Sequence, residues 1–582
     1  MNTIQAKING MPVTVPAGTT ILEAARSVQV KIPTLCKHED LLPTAACGLC
    51  IVNIKGSPKK PRACSTPIEN GMEITTHDEA LTEIRRTVLE LILSNHPNSC
   101  QTCGRNGSCE LQTLAGDFGI RRDAIPRFVR DLPEDHSNGS IVLDFAKCIK
   151  CGRCIQVCQE VQNVWALSFL QRGINTRMAP AGDITLAESP CIKCGQCAAH
   201  CPTGAIVEND ENHKVWEALK NPELHCTVQV APSVRVALGE EFGLPPGTNL
   251  TGKIYTALRR LGFQAVFDTN FSADLTIMEE ASEFVERFAN GKGKLPLITS
   301  CCPSWTDFME KYHYDFIDNF STAKSPQQML GVLAKTYYAE KRKIDPSRIY
   351  QVSIMPCTAK KAERVRPQLQ SNPGIPDVDA VLTTRELARM IKNAGIDFKH
   401  LPEEEYDSPL GASTGAAVIF GVTGGVMEAA LRTVYAVLND GKDLPGVTFM
   451  PVRGMEGIKE ASVDVPINGQ NVTVKLAVAH TLKNAKILMD KVRAGEADYH
   501  FIEIMACPGG CIGGGGQPQP VNADVRAART AAVYKVDEVM TIRQSHKNPD
   551  VIALYENWLG KPLGEKSHHL LHTHYKAQPR EV

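Results

Sequence analysis

The sequence predicts a multidomain chain, α+β in its first third and α/β in the remainder. Three observations carry this. At 582 residues the chain exceeds what one hydrophobic core fills. Most of its 21 cysteines fall in short-spaced groups that divide the first third into small units. From about residue 225, apolar strand-like runs alternate with amphipathic stretches, as they do around largely parallel sheets.

Composition excludes several classes. Apolar residues make up 43% of the chain and the net charge is -1, so no basic surface for nucleic acid or membrane is expected. The longest apolar runs are too short and interrupted for a membrane span. The opening MNTIQAKINGMPVTVPAG alternates like a strand and carries neither an apolar signal core nor a twin arginine, so a cytoplasmic location is expected. Disulfide frameworks belong to small secreted chains; cysteines at these short spacings in a chain this long behave as ligands.

Residues 1–80 read as a small β-rich domain. TIQAKING and VTVPAG form a hairpin, and Thr20 with Glu23 makes a capping box before the helix ILEAARS. Cys36, Cys47, Cys50 and Cys64 follow, spaced C-x10-C-x2-C-x13-C. In residues 81–138 the helical stretch ALTEIRRTVLELILSNHP leads to His96, Cys100, Cys103 and Cys109. Spacing alone favours zinc for a Cys3His set, and the adjacent cysteine groups turn the reading to a [4Fe–4S] cluster. The charged, proline-bearing stretch Arg121 to Ser140 reads as a linker. Residues 139–212 hold two copies of C-x2-C-x2-C-x3-C, the two-cluster ferredoxin spacing. In that pattern the fourth cysteine serves the other cluster. One site is therefore Cys148, Cys151, Cys154 and Cys201, and the other Cys191, Cys194, Cys197 and Cys158. Pro202 follows the second copy; Gln159 stands there in the first.

In residues 224–522 the strand-like runs are TVQVA, QAVFDT, LPLITS, IYQVSIMP, DAVLTT, VKLAVAH and YHFIEIMA. Cys302, Cys357 and Cys507 each lie just past such a run. Sites in open α/β sheets gather at strand carboxyl ends, so three strand ends can meet at one cluster. With Cys511 they give four thiolates, enough for a further [4Fe–4S] cluster. Cys301, beside Cys302, is left over. A spare thiol next to a metal cluster is a candidate proton donor. The glycines around Cys511 (GGCIGGGG) permit positive φ and close approach of the backbone to a bulky cofactor.

The segments TSCCPSW, MPCTAKK and EIMACPGGCIGGGGQP together resemble the active-site motifs of [FeFe]-hydrogenases, a likeness spanning nearly the whole chain. The N-terminal cysteine pattern resembles the [2Fe–2S] site of the larger members of that family and of complex I's large iron–sulfur subunit, and the His/Cys3 site occurs in both. The resemblance implies a β-grasp [2Fe–2S] domain, a His/Cys3 cluster domain, a two-[4Fe–4S] ferredoxin domain and a two-lobed α/β H-cluster domain. Residues 523–582 would be a wrap like the small subunit of some relatives. It implies one [2Fe–2S] cluster, three accessory [4Fe–4S] clusters and an H-cluster. In the H-cluster, Cys302, Cys357, Cys507 and Cys511 hold the cubane, and Cys511 bridges to a diiron subsite. That subsite carries carbon monoxide, cyanide and an azadithiolate, supplied by maturases.

By the same resemblance Lys360 hydrogen-bonds one cyanide and Pro232 and Ser233 line the other, while Gln327, Met355, Phe420 and Met505 pack around the diiron unit. Spacing alone would make both methionines plain core. Protons would pass through Cys301, Glu280, Ser321 and Glu283, with Arg287 near the mouth. Read without the family, two glutamates three apart on a helix are a solvated face. The expected activity is reversible reduction of protons to hydrogen. The ACPGGC form, with Pro508, looks like catalytic subunits of NAD(P)-linked complexes, some of them electron-bifurcating. Flavin/NAD(P)-binding and ferredoxin-like subunits, or free ferredoxin, would be the electron partners.

A complex I-like electron carrier would leave the H-cluster motifs idle. Non-catalytic hydrogenase-like assembly proteins lack the full diiron site and its proton-donating thiol, and Cys301 also speaks against a sensor. Cys226 reads as a buried structural thiol. His568, His569, His572 and His574 read as part of the wrapping tail rather than a metal site, having no acidic or cysteine partner near in sequence. GVTGG (Gly421 to Gly425) is an incomplete dinucleotide fingerprint.

Overall fold

The computed structural model describes residues 3–121, 124–371, 374–467 and 470–579. At the N-terminus, Thr3–Ile8 and Met11–Pro16 pair antiparallel around Asn9-Gly10, both at positive φ, as a two-residue hairpin turn requires. Glu73–Thr75 adds parallel to the first strand and Asn53–Ile54 antiparallel to that, completing a mixed four-stranded sheet. The helix Ile21–Ser27 starts at the expected capping box and buries Ile21, Leu22, Ala24 and Ala25 against the sheet, with Cys50 and Cys64 in the same core. The next helix, Glu79–Ser94, is capped by Asp78 and tied to the cysteine loop by buried Arg85, which donates to the carbonyls of Leu49, Ile51 and Thr76.

The expected linker is only partly one. Residues 122 and 123 of it lie outside the described residues, but Glu134–Asp135 pairs antiparallel with Ile141–Asp144, which pairs in turn with Ile206–Glu208. The ferredoxin-like unit repeats itself: Lys150-Cys151-Gly152 and Lys193-Cys194-Gly195 take positive φ at matching positions, each ahead of a short helix.

The region from residue 225 onward holds two four-stranded sheets. One runs Ala265–Asp268, His225–Val230, Ile349–Met355, Ala380–Thr383, all parallel. The other runs Leu297–Ile298, Phe501–Met505, Gln470–His480, Ile458–Ile467. Its last strand is antiparallel, a hairpin the sequence reading had missed. The central strands are buried on both faces, which is why they read as continuous apolar runs rather than alternating ones. Cys226 lies in the core of the first sheet, as a structural thiol should. The 20-residue helix Thr269–Phe288 is the main helix at the lobe junction, packing on Pro326–Leu333 and Gly425–Leu438.

The C-terminal residues wrap this domain. The helix Ala523–Val539 is pinned by Arg529, which pairs twofold with Glu240, and by Asp537, which accepts from Arg432, Arg453 and Arg543. Arg526 reaches Asp40 in the N-terminal domain. Replacing Asp537 by Ala leaves fully buried Arg432 with one carboxylate instead of two. The expected cost is about 3–5 kcal/mol, the price of breaking a buried pair from one side. A chemical-denaturation midpoint unchanged from the parent would contradict the pinning role.

Candidate functional site

Both sheets end at the same cleft. The first delivers Pro232 and Ser233 past Val230 and Cys357 past Met355; the second delivers Cys301 and Cys302 past Ile298 and Cys507 past Met505. Cys511 arrives on the loop after Cys507. The four thiols of Cys302, Cys357, Cys507 and Cys511 feel one another's charge. Burial, joined by those neighbours, pushes Cys357 and Cys511 up to about 12 and Cys507 well above the thiol range. Backbone N–H groups point at two of the sulfurs: Ser304, Trp305 and Ala506 at Cys302, and Ala359 and Lys360 at Cys357. Four converging, unpaired thiols that cannot ionise alone, met by N–H donors, are the donor set of a cationic cluster.

The glycines differ from expectation in part. Gly509 and Gly510 do take positive φ. Gly513, Gly514 and Gly515 instead let protein meet protein: an added Cβ would lie 2.1 Å from the Pro508 carbonyl, 2.2 Å from that of Pro356 and 2.4 Å from that of Cys194. The last contact fastens this loop to the ferredoxin-like unit. Thr358 Oγ1 donates to the Lys193 carbonyl (2.8 Å), Gln196 to that of Gly513 (2.9 Å) and Gln162 to that of Ala506 (2.9 Å). Cys194 and Cys507 are near enough to influence each other.

The accessory cysteines also group as the spacing suggested. Cys36, Cys47, Cys50 and Cys64 lie within thiol contact. Cys148, Cys151, Cys154 and Cys201 line one small cavity, and Cys158 joins Cys191, Cys194 and Cys197. His96 shares a cavity with Cys100, Cys103 and Cys109. Its Nδ1 accepts from the Asn98 N–H, and its Nε2 is buried with no hydrogen-bond partner among the described residues, which leaves it free for a metal. Arg153, between Cys151 and Cys154, joins the input sites: it donates to the carbonyls of Lys37 and His200 and forms a twofold pair with Glu110. Those three residues neighbour Cys36, Cys201 and Cys109.

Beside Cys302 lies Cys301, its thiol pushed well up by burial and by the nearby Glu280 carboxyl. Glu280 and Glu283 are 2% and 8% exposed, so the solvated-face alternative does not hold. Burial raises Glu280 to about 8, opposed by its hydrogen-bond contact with the Ser321 hydroxyl. Ser321 Oγ also donates to Glu283 (3.1 Å), which accepts from Arg287 Nη2 (2.5 Å). Lys360 Nζ donates to the Cys301 carbonyl (3.1 Å) and to Glu363 (2.8 Å). Gln327 donates to the same Glu363 and accepts from Ser353. Glu363 was not singled out from the sequence; its only signal is its place three residues after Lys360. Ser233 accepts from Gln517, also not anticipated, and Gly421 next to Phe420 packs on Ser233. Met355 and Met505 end their strands at 3% exposure, each also part of a core.

The GVTGG loop holds a protein carboxylate. Glu503 accepts from the N–H groups of Gly424 and Met427 (both 2.7 Å), filling the start of helix Gly425–Leu438.

Comparison with known proteins follows these boundaries of chemistry. Residues 224–515 match the iron only hydrogenase large subunit, C-terminal domain, and residues 523–578 the iron hydrogenase small subunit. Residues 1–79 match the 2Fe-2S iron-sulfur cluster binding domain, 85–123 the NADH-ubiquinone oxidoreductase-G iron-sulfur binding region and 147–205 the 4Fe-4S dicluster domain. The NADP-reducing hydrogenase subunit HndD of Solidesulfovibrio fructosivorans is 49% identical, with 100% of both chains covered. Iron hydrogenase 1 of Clostridium pasteurianum is 41% identical over 98% of this chain and 99% of that one. Among solved structures, the [FeFe]-hydrogenase HydA1 of Chlamydomonas reinhardtii matches with TM-score 0.58 and 44% identity, covering 64% of this chain and 100% of that one.

The raised Glu280 carboxyl gives a pH prediction. With its carboxyl raised to about 8, Glu280 is mostly neutral at pH 7 and half ionised near pH 8. An infrared carboxyl band lost in Glu280→Gln is expected to titrate away near pH 8; titration near the ordinary value of about 4.3 would contradict the burial argument.

Proposed function

The chain belongs to the iron-only hydrogenase family, and from that premise we propose that it is the catalytic subunit of an NAD(P)-linked hydrogenase complex, exchanging electrons with a nicotinamide bound on another subunit. That it is an iron–sulfur oxidoreductase acting on hydrogen follows from the family. The observation carrying the finer reading is full-length similarity to a subunit named for reducing NADP, in a chain whose one dinucleotide-like glycine loop is filled by its own Glu503. Among the described residues no helix is long and apolar enough to cross a membrane.

The residues fit the groups the family implies. Cys36, Cys47, Cys50 and Cys64 would hold a [2Fe–2S] cluster, and His96 with Cys100, Cys103 and Cys109 a [4Fe–4S] cluster. The two ferredoxin-like sets would hold two more. Cys302, Cys357, Cys507 and Cys511 would hold the H-cluster cubane, with Cys511 shared with the diiron subsite. When bound, that cofactor supplies the redox chemistry between protons and hydrogen.

The chain's own part is positioning and proton movement. Arg153 binds both input domains to the first ferredoxin site, and the Gly515–Cys194 contact binds the second to the catalytic thiols, an order suited to electron delivery from the N-terminal side. Glu363 fixes the Lys360 ammonium, which then faces the cleft as a cation for an anionic ligand. Ser233, Gln327, Met355, Phe420 and Met505 exclude water there. Cys301 gives or takes the proton, and Glu280, Ser321 and Glu283 carry it to Arg287 at the mouth. Because Glu280 is mostly neutral at pH 7, it can donate its proton to Ser321 Oγ, whose own hydrogen goes to Glu283.

Two measurements test this. Cys301→Ala should keep its iron content and accessory-cluster spectra while losing about 10²-fold or more of its turnover; turnover within a few-fold of the parent would remove Cys301 from the relay. The isolated, matured chain should evolve hydrogen from reduced viologen and from neither NADH nor NADPH until partner subunits are added. Direct turnover with a nicotinamide would contradict the division of labour, and turnover with free ferredoxin at full rate without partners would favour a stand-alone enzyme.

A further inference from the structure

The His/Cys3 site and the first ferredoxin-like site share a seam. The loop after Cys201 crosses it: the Pro202 carbonyl accepts from the Glu110 N–H (2.9 Å), and a Cβ added at Gly204 would lie 2.5 Å from Cys103 Sγ and 3.6 Å from Arg105 Cγ. Arg105 lines the small cavity of His96, Cys100, Cys103 and Cys109, and also the wider cleft that Cys109 and Cys201 share. It is 7% exposed. Its Nη2 donates to the Ser108 carbonyl (2.8 Å), and its Nε is buried with no hydrogen-bond partner among the described residues. The carboxylates near the seam are committed to other cations. Glu208 pairs with Arg385 (2.6 Å) and Arg389 (2.8 Å), Asp144 with Lys147 (2.6 Å) and Glu110 with Arg153 (2.7 Å). Every other buried arginine among the described residues holds a carboxylate or, like Arg85, gives its N–H groups to three carbonyls. Arg105 has neither. A guanidinium stays charged when buried, and a buried charge without a counter-charge is strongly unfavourable. Burial and Arg385 work against the Arg105 cation, while Cys201, Glu208 and Cys109 favour it.

We propose that the counter-charge of Arg105 is the iron–sulfur cluster of the His/Cys3 site, and that Arg105 sets how readily that cluster takes an electron. Three thiolates and a neutral imidazole would leave the cluster anionic, and an added electron makes it more so. A fixed cation in the same wall, shielded from water, stabilises the reduced form more than the oxidised form and so raises the reduction potential. Lys147 lines the same cavity but is already balanced by Asp144, so its contribution is smaller. Arg105 touches no reacting atom; it acts on the passage of electrons through this cluster. The inference rests on the reading of His96, Cys100, Cys103 and Cys109 as a [4Fe–4S] site.

The test is a redox titration of the full chain carrying its accessory clusters, followed by electron paramagnetic resonance. The signal of the His/Cys3 cluster is the one lost in Cys100→Ala. In Arg105→Gln that signal should remain, with iron content unchanged, and its reduction equilibrium should move about tenfold toward the oxidised form, a fall of about 59 mV for one electron. The shift should persist at about 1 M salt, where the effect of a surface charge would be screened. Arg105→Lys keeps the charge and should hold close to the parent's potential, which a packing role would not require. An unchanged potential in Arg105→Gln overturns the inference and leaves the cluster reading standing; so does an Arg105→Lys potential that falls as far as that of Arg105→Gln. Arg105→Met, of similar length, carries the same expectation if the glutamine variant does not retain its cluster. A cluster lost from both neutral variants but held by Arg105→Lys at the parental potential also supports the counter-charge. Loss from all three marks Arg105 as a packing residue and overturns it. If Cys100→Ala removes neither signal nor iron, the cluster reading fails and the inference with it.

Discussion

Four buried thiols brought to one point set the terms for everything around them. Each is pushed toward its neutral form by burial, and Cys357, Cys507 and Cys511 also by neighbouring thiols, so the constellation is stable as an ionised set only around a compensating cation. The chain accepts this arrangement because each thiol hangs from a rigid support. Three follow strands whose faces are both covered, and the fourth follows a glycine turn locked against Val422 and Thr423. The two lobes therefore cannot separate without dismantling the site, and the site cannot relax without moving a sheet.

The same economy explains the accessory domains. They are small, with modest cores, and contacts close to their cysteines join them to one another. Arg153 bonds beside Cys36, Cys109 and Cys201 at once, and the Gly515 loop presses on the Cys194 backbone. The joints between domains thus lie beside the cysteines themselves. The C-terminal segment serves a different joint. It closes over the helix that bears Glu279, Glu280 and Glu283 and pins itself to the domain through Arg529 and Asp537.

Much of this was legible in the sequence, for a physical reason: a ligand set within a short span needs no knowledge of the fold. The capping box at Thr20, the paired ferredoxin spacings and the strand ends at Cys302, Cys357 and Cys507 all depend on local pattern, and the structure places them as read. What escaped depends on long separations. Glu363 matters only because Gln327 and Lys360 converge on it. His572 had no acidic neighbour in sequence, yet meets Glu279 across 293 positions. The Ile458–Ile467 strand alternates polar and apolar residues, and a search tuned to continuous apolar runs passes over it. The glycines near Cys511 read as room for a cofactor, whereas several make room for the chain itself.

The most direct test of the account is the infrared spectrum of the anaerobically matured protein beside its Cys511→Ser variant. The account predicts carbonyl and cyanide stretching bands in the parent. It predicts their loss in the variant, with the accessory-cluster signals in electron paramagnetic resonance unchanged. Bands of equal strength in both proteins, or none in a parent whose accessory clusters are full, would contradict the assignment of the strand-end thiols as the seat of the catalytic cofactor.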